Sequence, residues 1–314
     1  MTKRHALGLT LVELLISMTI GLLLLGALLQ VLVLHSRQFA DSEALAELQD
    51  QASAAIRFLR RDIALAGHWG MLASATHIDG ASTVSDANPL GIAVPSRCQP
   101  RFTLDLMQAA SITTHADQWQ CGVNARDDSP ALALRYASPE ANEAHTDRIQ
   151  LWLTPTGGQT THAKHASPGQ RHDLQVMGYY VAPASTLFTE QPVLRRLTLR
   201  RRAGQPAYVD EEVAIGVEHL HLRAAIDTNS DGQADSWVEP DDTRLTARGS
   251  DGAPEFPVVA IEVSLIVRAE APVQRRIDVQ RFWLGDTEWQ APADNHWRVH
   301  VTTTVTLRNW SNNG

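Results

Sequence analysis

Between Leu9 and Leu34 the chain reads LTLVELLISMTIGLLLLGALLQVLVL, with Glu13 as its only formal charge. That stretch covers the ~20 residues a helix needs to cross a hydrocarbon core. Lys3, Arg4 and His5 stand before it, so the positive-inside rule predicts a cytoplasmic N-terminus and an extracytoplasmic chain beyond Leu34. An ordinary secretory signal would show a small-residue cleavage site after the apolar run, and the sequence there continues as HSRQFADSEALAELQ. The carboxylate of Glu13 constrains the reading further. A carboxylate in lipid costs ~2.5 to 3.5 kcal/mol on insertion scales, and such groups face a partner in place of hydrocarbon. The expected partner is a cation.

Residues 35–66 contain neither Gly nor Pro, and Phe39, Leu45, Leu48, Ala52, Ile56, Leu59 and Ile63 recur mostly at steps of three and four. One apolar stripe on a continuing helix is predicted, stopped by Gly67 and Gly70. Beyond residue 70 the pattern changes to short alternating runs between Gly, Pro, Asn and Asp, the signature of an antiparallel sheet. Residues 148–154, 258–269 and 299–309 are the clearest strands. In the second of these, Val259, Ile261, Val263, Leu265 and Val267 are expected on one face, with Glu262, Ser264 and Arg268 on the other. Residues 155–175 and 239–257 read as exposed excursions. The predicted class is α+β: a long N-terminal helix packed on an antiparallel β-sheet domain.

The formal net charge of -8 argues against a general nucleic-acid binder, since such proteins neutralise phosphates with surplus Lys and Arg. The run RRLTLRRR (195–202) is expected to be a solvated strand edge. Among thirteen histidines, His162, His165, His219 and His221 have no zinc-motif spacing and read as solvated loop and strand residues. The two cysteines, Cys98 and Cys121, lie close in sequence and suit one disulfide if the domain is outside the cytosol, the alternative being two buried thiols.

The segment DTNSDGQAD (227–235) puts Asp227, Asn229, Asp231 and Asp235 at positions 1, 3, 5 and 9 of a calcium loop, with Gly232 at the turn and the carbonyl of Gln233 as a further ligand. Val238 stands where the bidentate Glu belongs. The expectation is Ca2+ in a loop between strands, the alternative a metal-free Asp/Asn/Gly turn. No nucleophile elbow, phosphate loop or carboxylate pair supports an enzyme.

The order basic leader, Gly8, then Leu9-Thr10-Leu11-Val12-Glu13 resembles the type IV prepilin signal. Residues 56–70, IRFLRRDIALAGHWG, resemble PilW-type minor pilins through Arg61, Asp62, Ala66 and Gly67, and the Thr-rich C-terminal strand ending in Arg308-Asn309 resembles theirs also. The resemblance implies a minor pilin of a type IV pilus, cut by prepilin peptidase between Gly8 and Leu9 and N-methylated on Leu9. Glu13 would then pair with the α-amine of an adjoining subunit during assembly. It further implies a leader at 1–8, a transmembrane helix at 9–34, an amphipathic helix at 35–66 and an extracytoplasmic pilin-like domain at 67–314. The implied location is the bacterial inner membrane, then the pilus. The implied partners are other minor and major pilins, a tip adhesin, the prepilin peptidase and an inner-membrane assembly platform. The implied role is starting assembly at or near the tip, with twitching motility as the phenotype. The alternatives are a J-type pseudopilin of type II secretion, or a DNA-uptake or adhesive pilin.

Overall fold

The computed structural model describes residues 10–81, 90, 92, 104–119, 121, 123–127, 129–161, 168–250, 252–270, 272 and 279–309. A single helix, α1 (Leu11–Leu65), runs through both the apolar and the amphipathic segments, as the absence of helix breakers between them predicts. The chain divides into two compact units, Met1–Glu47 and Leu48–Gly314.

In the first unit, Leu11–Ser36 is long and apolar enough to cross a membrane, and none of it is buried. Its leucines present themselves on every side of the helix, which suits lipid and no aqueous surface. In the second unit, Leu48, Ala52, Ala55, Leu59, Ile63 and Ala66 are buried in the main core. Their spacing of three and four is the stripe read from the sequence. Phe39 falls outside it and is 72% exposed.

The strands of the second unit begin with β1 (Ala110–Thr113), β2 (Ala131–Ala137), β3 (Gln150–Thr154), β4 (Gly157–Thr161) and β5 (Gln170–Ala182). They continue with β6 (Val193–Arg202), β7 (Gln205–Ile215), β8 (Val217–Ile226), β9 (Ser236–Val238) and β10 (Val258–Arg268). The series closes with β11 (Arg281–Leu284), β12 (Thr287–Gln290) and β13 (Arg298–Thr306). One sheet runs β1-β2-β5-β3-β4, with β6 also on β5 and β7 on β6; a second runs β13-β10-β8-β9. β11 and β12 form a separate hairpin. Apolar side chains of both large sheets meet the stripe of α1: Leu132, Leu134 and Tyr179 from the first, Leu220, Leu222, Ile261 and Val263 from the second. The α+β expectation, helix on antiparallel sheet, is what the chain adopts.

Three local expectations change. Residues 155–175 are not one excursion: they supply the β3–β4 turn, β4 and the start of β5. Residues 239–257 are anchored, because Leu245 is buried in the main core and the Gln108 side-chain amide donates to its carbonyl at 3.1 Å. Val259 leaves the inner face of β10 through a register shift against β8 between Val258 and Ala260, and packs with Ala225 and Ala260 instead. β10 has strand neighbours on both sides, so Ser264 on its other face is buried too, hydrogen-bonded to Thr302 at 2.8 Å.

Burial on α1 sets a sharp contrast between neighbours: Leu59 is wholly buried and Phe58 is 48% exposed. In equilibrium unfolding of the full chain in detergent, Leu59→Ala is expected to cost about 2–5 kcal/mol. Phe58→Ala should cost under about 1 kcal/mol.

Candidate functional site

The one charge of the apolar helix sits at its first turn. The Thr10 backbone N–H and hydroxyl both donate to Glu13 Oε2 at 3.0 Å, and the Glu13 N–H donates back to the Thr10 hydroxyl oxygen at 3.3 Å. This is the reciprocal arrangement of a capping box, with the hydroxyl residue three positions before the acid. It accounts for a carboxylate at this depth in one subunit alone: Glu13 neutralises the free N–H groups and the positive end of the helix dipole. Both described hydrogen bonds to the carboxylate fall on Oε2. Gly8 and Leu9, the expected cleavage site, lie outside the described residues.

At the far end of α1 the residues that carry the minor-pilin resemblance converge. Asp62 is 6% exposed and accepts from the hydroxyls of Tyr136 at 3.1 Å and of Tyr179. Arg196 on β6 stands 3.8 Å away and also pairs with Glu211 at 2.9 Å. Burial, and then the Asp62 charge, push both tyrosine hydroxyls well above their ordinary pKa, so they remain donors across the biological pH range. Gly67 ends the helix with φ +76, and its N–H donates to the Arg135 carbonyl at 3.0 Å. A Cβ there would lie 3.2 Å from the Ala109 Cβ and 3.4 Å from the Asn309 carbonyl, so both conformation and space call for glycine. Asn309 then donates its side-chain amide to the carbonyls of Ala64 at 3.1 Å and Ala66 at 3.4 Å, satisfying the open end of α1. Arg61 and Arg308 are exposed. Sequence reasoning named Asp62, Gly67 and Asn309 but not their partners: Tyr136, Tyr179 and Arg196 come from three strands and share no local pattern.

The 227–235 loop joins β8 to β9. Asp227 is 1% exposed, and its oxygens accept N–H bonds from Asn229 at 3.1 Å, Ser230 at 2.7 Å and Gly232 at 2.7 Å. Asp235 accepts from the Thr228 N–H and hydroxyl at 2.8 Å each and from the Asn229 amide at 3.3 Å. Asn229 accepts from Asp231 N–H, and Asp231 from Gln233 N–H. These bonds close the loop by themselves, yet each carboxylate oxygen offers two lone pairs, so the oxygen donor set remains of the type that suits a hard cation. Val238, at the twelfth position, is buried. Among the described residues no three His, Cys, Asp or Glu side chains are grouped to hold a metal ion.

The first half of the arginine run, 195–198, is not a solvated edge, whereas beyond Thr198 β6 no longer pairs with β5 and Arg202 is exposed. β6 is flanked by β5 and β7, and Arg195 is bound to Asp210 at 3.0 Å and Glu212 at 2.8 Å. Three consecutive acids on β7 thus answer the first two arginines of β6. His219 and His221 are half-buried: the first stacks on Trp289 at 5.0 Å, the second lies 3.2 Å from Glu239. His162, His165 and Cys98 lie outside the described residues; Cys121 is half-buried beside the Trp119 cluster.

The family model described as Type IV Pilus-assembly protein W matches residues 178–309, and that of the prokaryotic N-terminal methylation motif matches residues 3–29. A type IV-like pilin from Thermus thermophilus is similar in structure at 13% identity, covering 83% of this chain and 96% of that one, with a TM-score of 0.42. No curated protein matches. The methylation motif at the head of an apolar helix long enough to cross a membrane supports anchoring in the inner membrane and passage from there into a pilus. The match to the pilus-assembly W family, together with that motif, supports a type IV pilus minor pilin with a prepilin signal, a family that implies association with the membrane and with other pilus components.

Asp62→Ala would leave two buried hydroxyls without their acceptor. The expected cost is about 3–5 kcal/mol in equilibrium unfolding of the full chain, against about 1–2 kcal/mol for Tyr179→Phe, which removes a single donor.

Proposed function

We propose that this minor pilin helps start pilus assembly at or near the tip, after cleavage between Gly8 and Leu9 and methylation of the new α-amine. The observation that carries this reading is Glu13, a carboxylate in an apolar helix that, among the described residues, is held by Thr10 of its own chain. The α-amine of an adjoining subunit is a stronger partner than a neutral hydroxyl and amide, because a charge-assisted bond in low dielectric exceeds a neutral one. Glu13 therefore has a partner before assembly and a better one within it. On this reading Lys3 and Arg4 keep the leader cytoplasmic for the peptidase. The contacts are with other minor and major pilins, a tip adhesin and the inner-membrane platform. The chain is an assembly part and not an enzyme.

Intact mass of the protein from host membranes is expected to show loss of residues 1–8 and gain of one methyl group. The same spectrum with and without reduction and alkylation reads the proposed Cys98–Cys121 bond. Glu13→Ala should be cleaved normally and yet be lost from sheared pili. A chain that still begins at Met1, or a Glu13→Ala subunit present at the ordinary level, contradicts the reading.

We also propose that the 227–235 loop takes Ca2+ through Asp227, Asn229, Asp231, Asp235 and the Gln233 carbonyl. Calcium should then raise the melting temperature of the full chain in detergent, by about 2.7 kcal/mol of stabilisation at one hundred times Kd. Asp227→Ala combined with Asp231→Ala should abolish the rise, and an equal rise in the double variant would discard the loop as a metal site.

A further inference from the structure

A sheet edge exposes unpaired backbone N–H and C=O groups, and natural proteins guard such edges with brevity, charge, proline or bulges. Among the described residues most edges here are guarded. β1 has 4 residues, β4 has 5 and β9 has 3. β7 has 11, but carries Pro206 and the run Asp210-Glu211-Glu212. The 4-residue strands β11 and β12 each carry charge, in Arg281 and Glu288.

β13 lacks brevity, proline and a bulge, and its one formal charge, Arg298 at the first position, is taken up by Glu218 and Asp294. It is 9 residues long, reads RVHVTTTVT and, among the described residues, pairs with β10 alone, in unbroken register from Arg298 opposite Arg268 to Thr306 opposite Ala260. From Val299 to Thr306 it has no Lys, Arg, Asp, Glu, Pro or Gly. Its direction of bonding follows from the ladder. Leu307 donates to the Val259 carbonyl on the β10 side, and Ala269, just past β10, donates to the Trp297 carbonyl. Antiparallel pairs alternate, so the odd-numbered residues face β10 and the backbone groups of His300, Thr302, Thr304 and Thr306 point to the open side. Two core-facing side chains of this strand, Val299 and Val301, are only partly buried, as is Ile56 on α1.

We infer that the open edge of β13 is an assembly surface that takes an extended, uncharged strand from a different pilin subunit, paired backbone to backbone. This rests on the pilin reading above and adds the partner's chemistry to it. A strand is the occupant because a row of alternating N–H and C=O groups is completed by another such row and by nothing else of protein chemistry. It would also lie beside the partly buried Val299 and Val301. An uncharged edge imposes no like-charge repulsion in a chain of net charge -8. A second copy of this chain is not the occupant: β13 against β13 closes as a two-fold dimer and cannot be continued along a filament of one polarity.

Thr304 gives a clean test, since its side chain is exposed and its N–H faces the open edge. Proline there removes a donor from the edge and none from the β10 ladder, a placement edge strands tolerate. In the host, full-length Thr304→Pro is expected to fall about ten-fold or more in sheared pili and in complexes with other pilins, with Thr304→Ala close to wild type. Amide exchange at Thr302, Thr304 and Thr306 should be fast in the isolated chain in detergent and slow in the assembled complex, which reads the edge even if the proline variant folds poorly. Equal exchange in both states overturns the inference, as does a folded Thr304→Pro chain incorporated normally. A photocrosslinker at position 304 that captures only a second copy of this chain overturns it also. Loss of incorporation in Glu13→Ala with none in Thr304→Pro would sink the edge and leave the pilin reading standing.

Discussion

A carboxylate buried against two tyrosine hydroxyls ties the last turns of α1 to the larger of the two main sheets. Asp62 comes from the helix, Tyr136 from β2, Tyr179 from β5 and Arg196 from β6. A buried charge is costly unless it is paired and hydrogen-bonded, so the helix and these strands must be placed together or not at all. The same few residues close the chain: Gly67 turns away at positive φ, and Asn309, from just beyond β13, caps the helix it leaves behind. The two parts of the chain that resemble minor pilins, the helix end and the C-terminal strand, therefore form one contact.

The two helix carboxylates show how environment divides their roles. Glu13 stands in a segment without buried residues, and its neighbours are neutral groups of Thr10 in its own first turn. Asp62 stands among side chains from distant parts of the chain. The first is free to exchange partners because its present ones are local and weak; the second cannot exchange without dismantling the core. An assembly contact suits the former, a structural one the latter.

Charge elsewhere is handled by pairing across the sheet. The β6 arginines meet the β7 acids, Arg298 is buried against Glu218 and Asp294, and Arg248 reaches Asp105 to hold the 239–257 loop. A chain with a net negative charge thus contains a basic run whose first arginines are already neutralised within it. Beyond Arg298, β13 is the contrast, a stretch from Val299 to Thr306 without Lys, Arg, Asp or Glu.

The helix and its division into lipid-suited and core-suited parts were legible in the sequence, because helical periodicity and the length of an apolar run are local properties. The strands at 148–154, 258–269 and 299–309 were legible for the same reason, through alternation of period two. So were the prepilin signal and Glu13, since a motif of fixed spacing needs no tertiary partner to be recognised. What escaped the sequence was every pairing between distant segments. The neighbours of Asp62, the cap from Asn309, the central place of β6, the anchoring of Leu245 and the displacement of Val259 all depend on which strands lie side by side. A residue's own neighbours in the chain carry its conformational preference, but the burial of a charge, or the openness of an edge, is set by segments that meet only when the chain has folded.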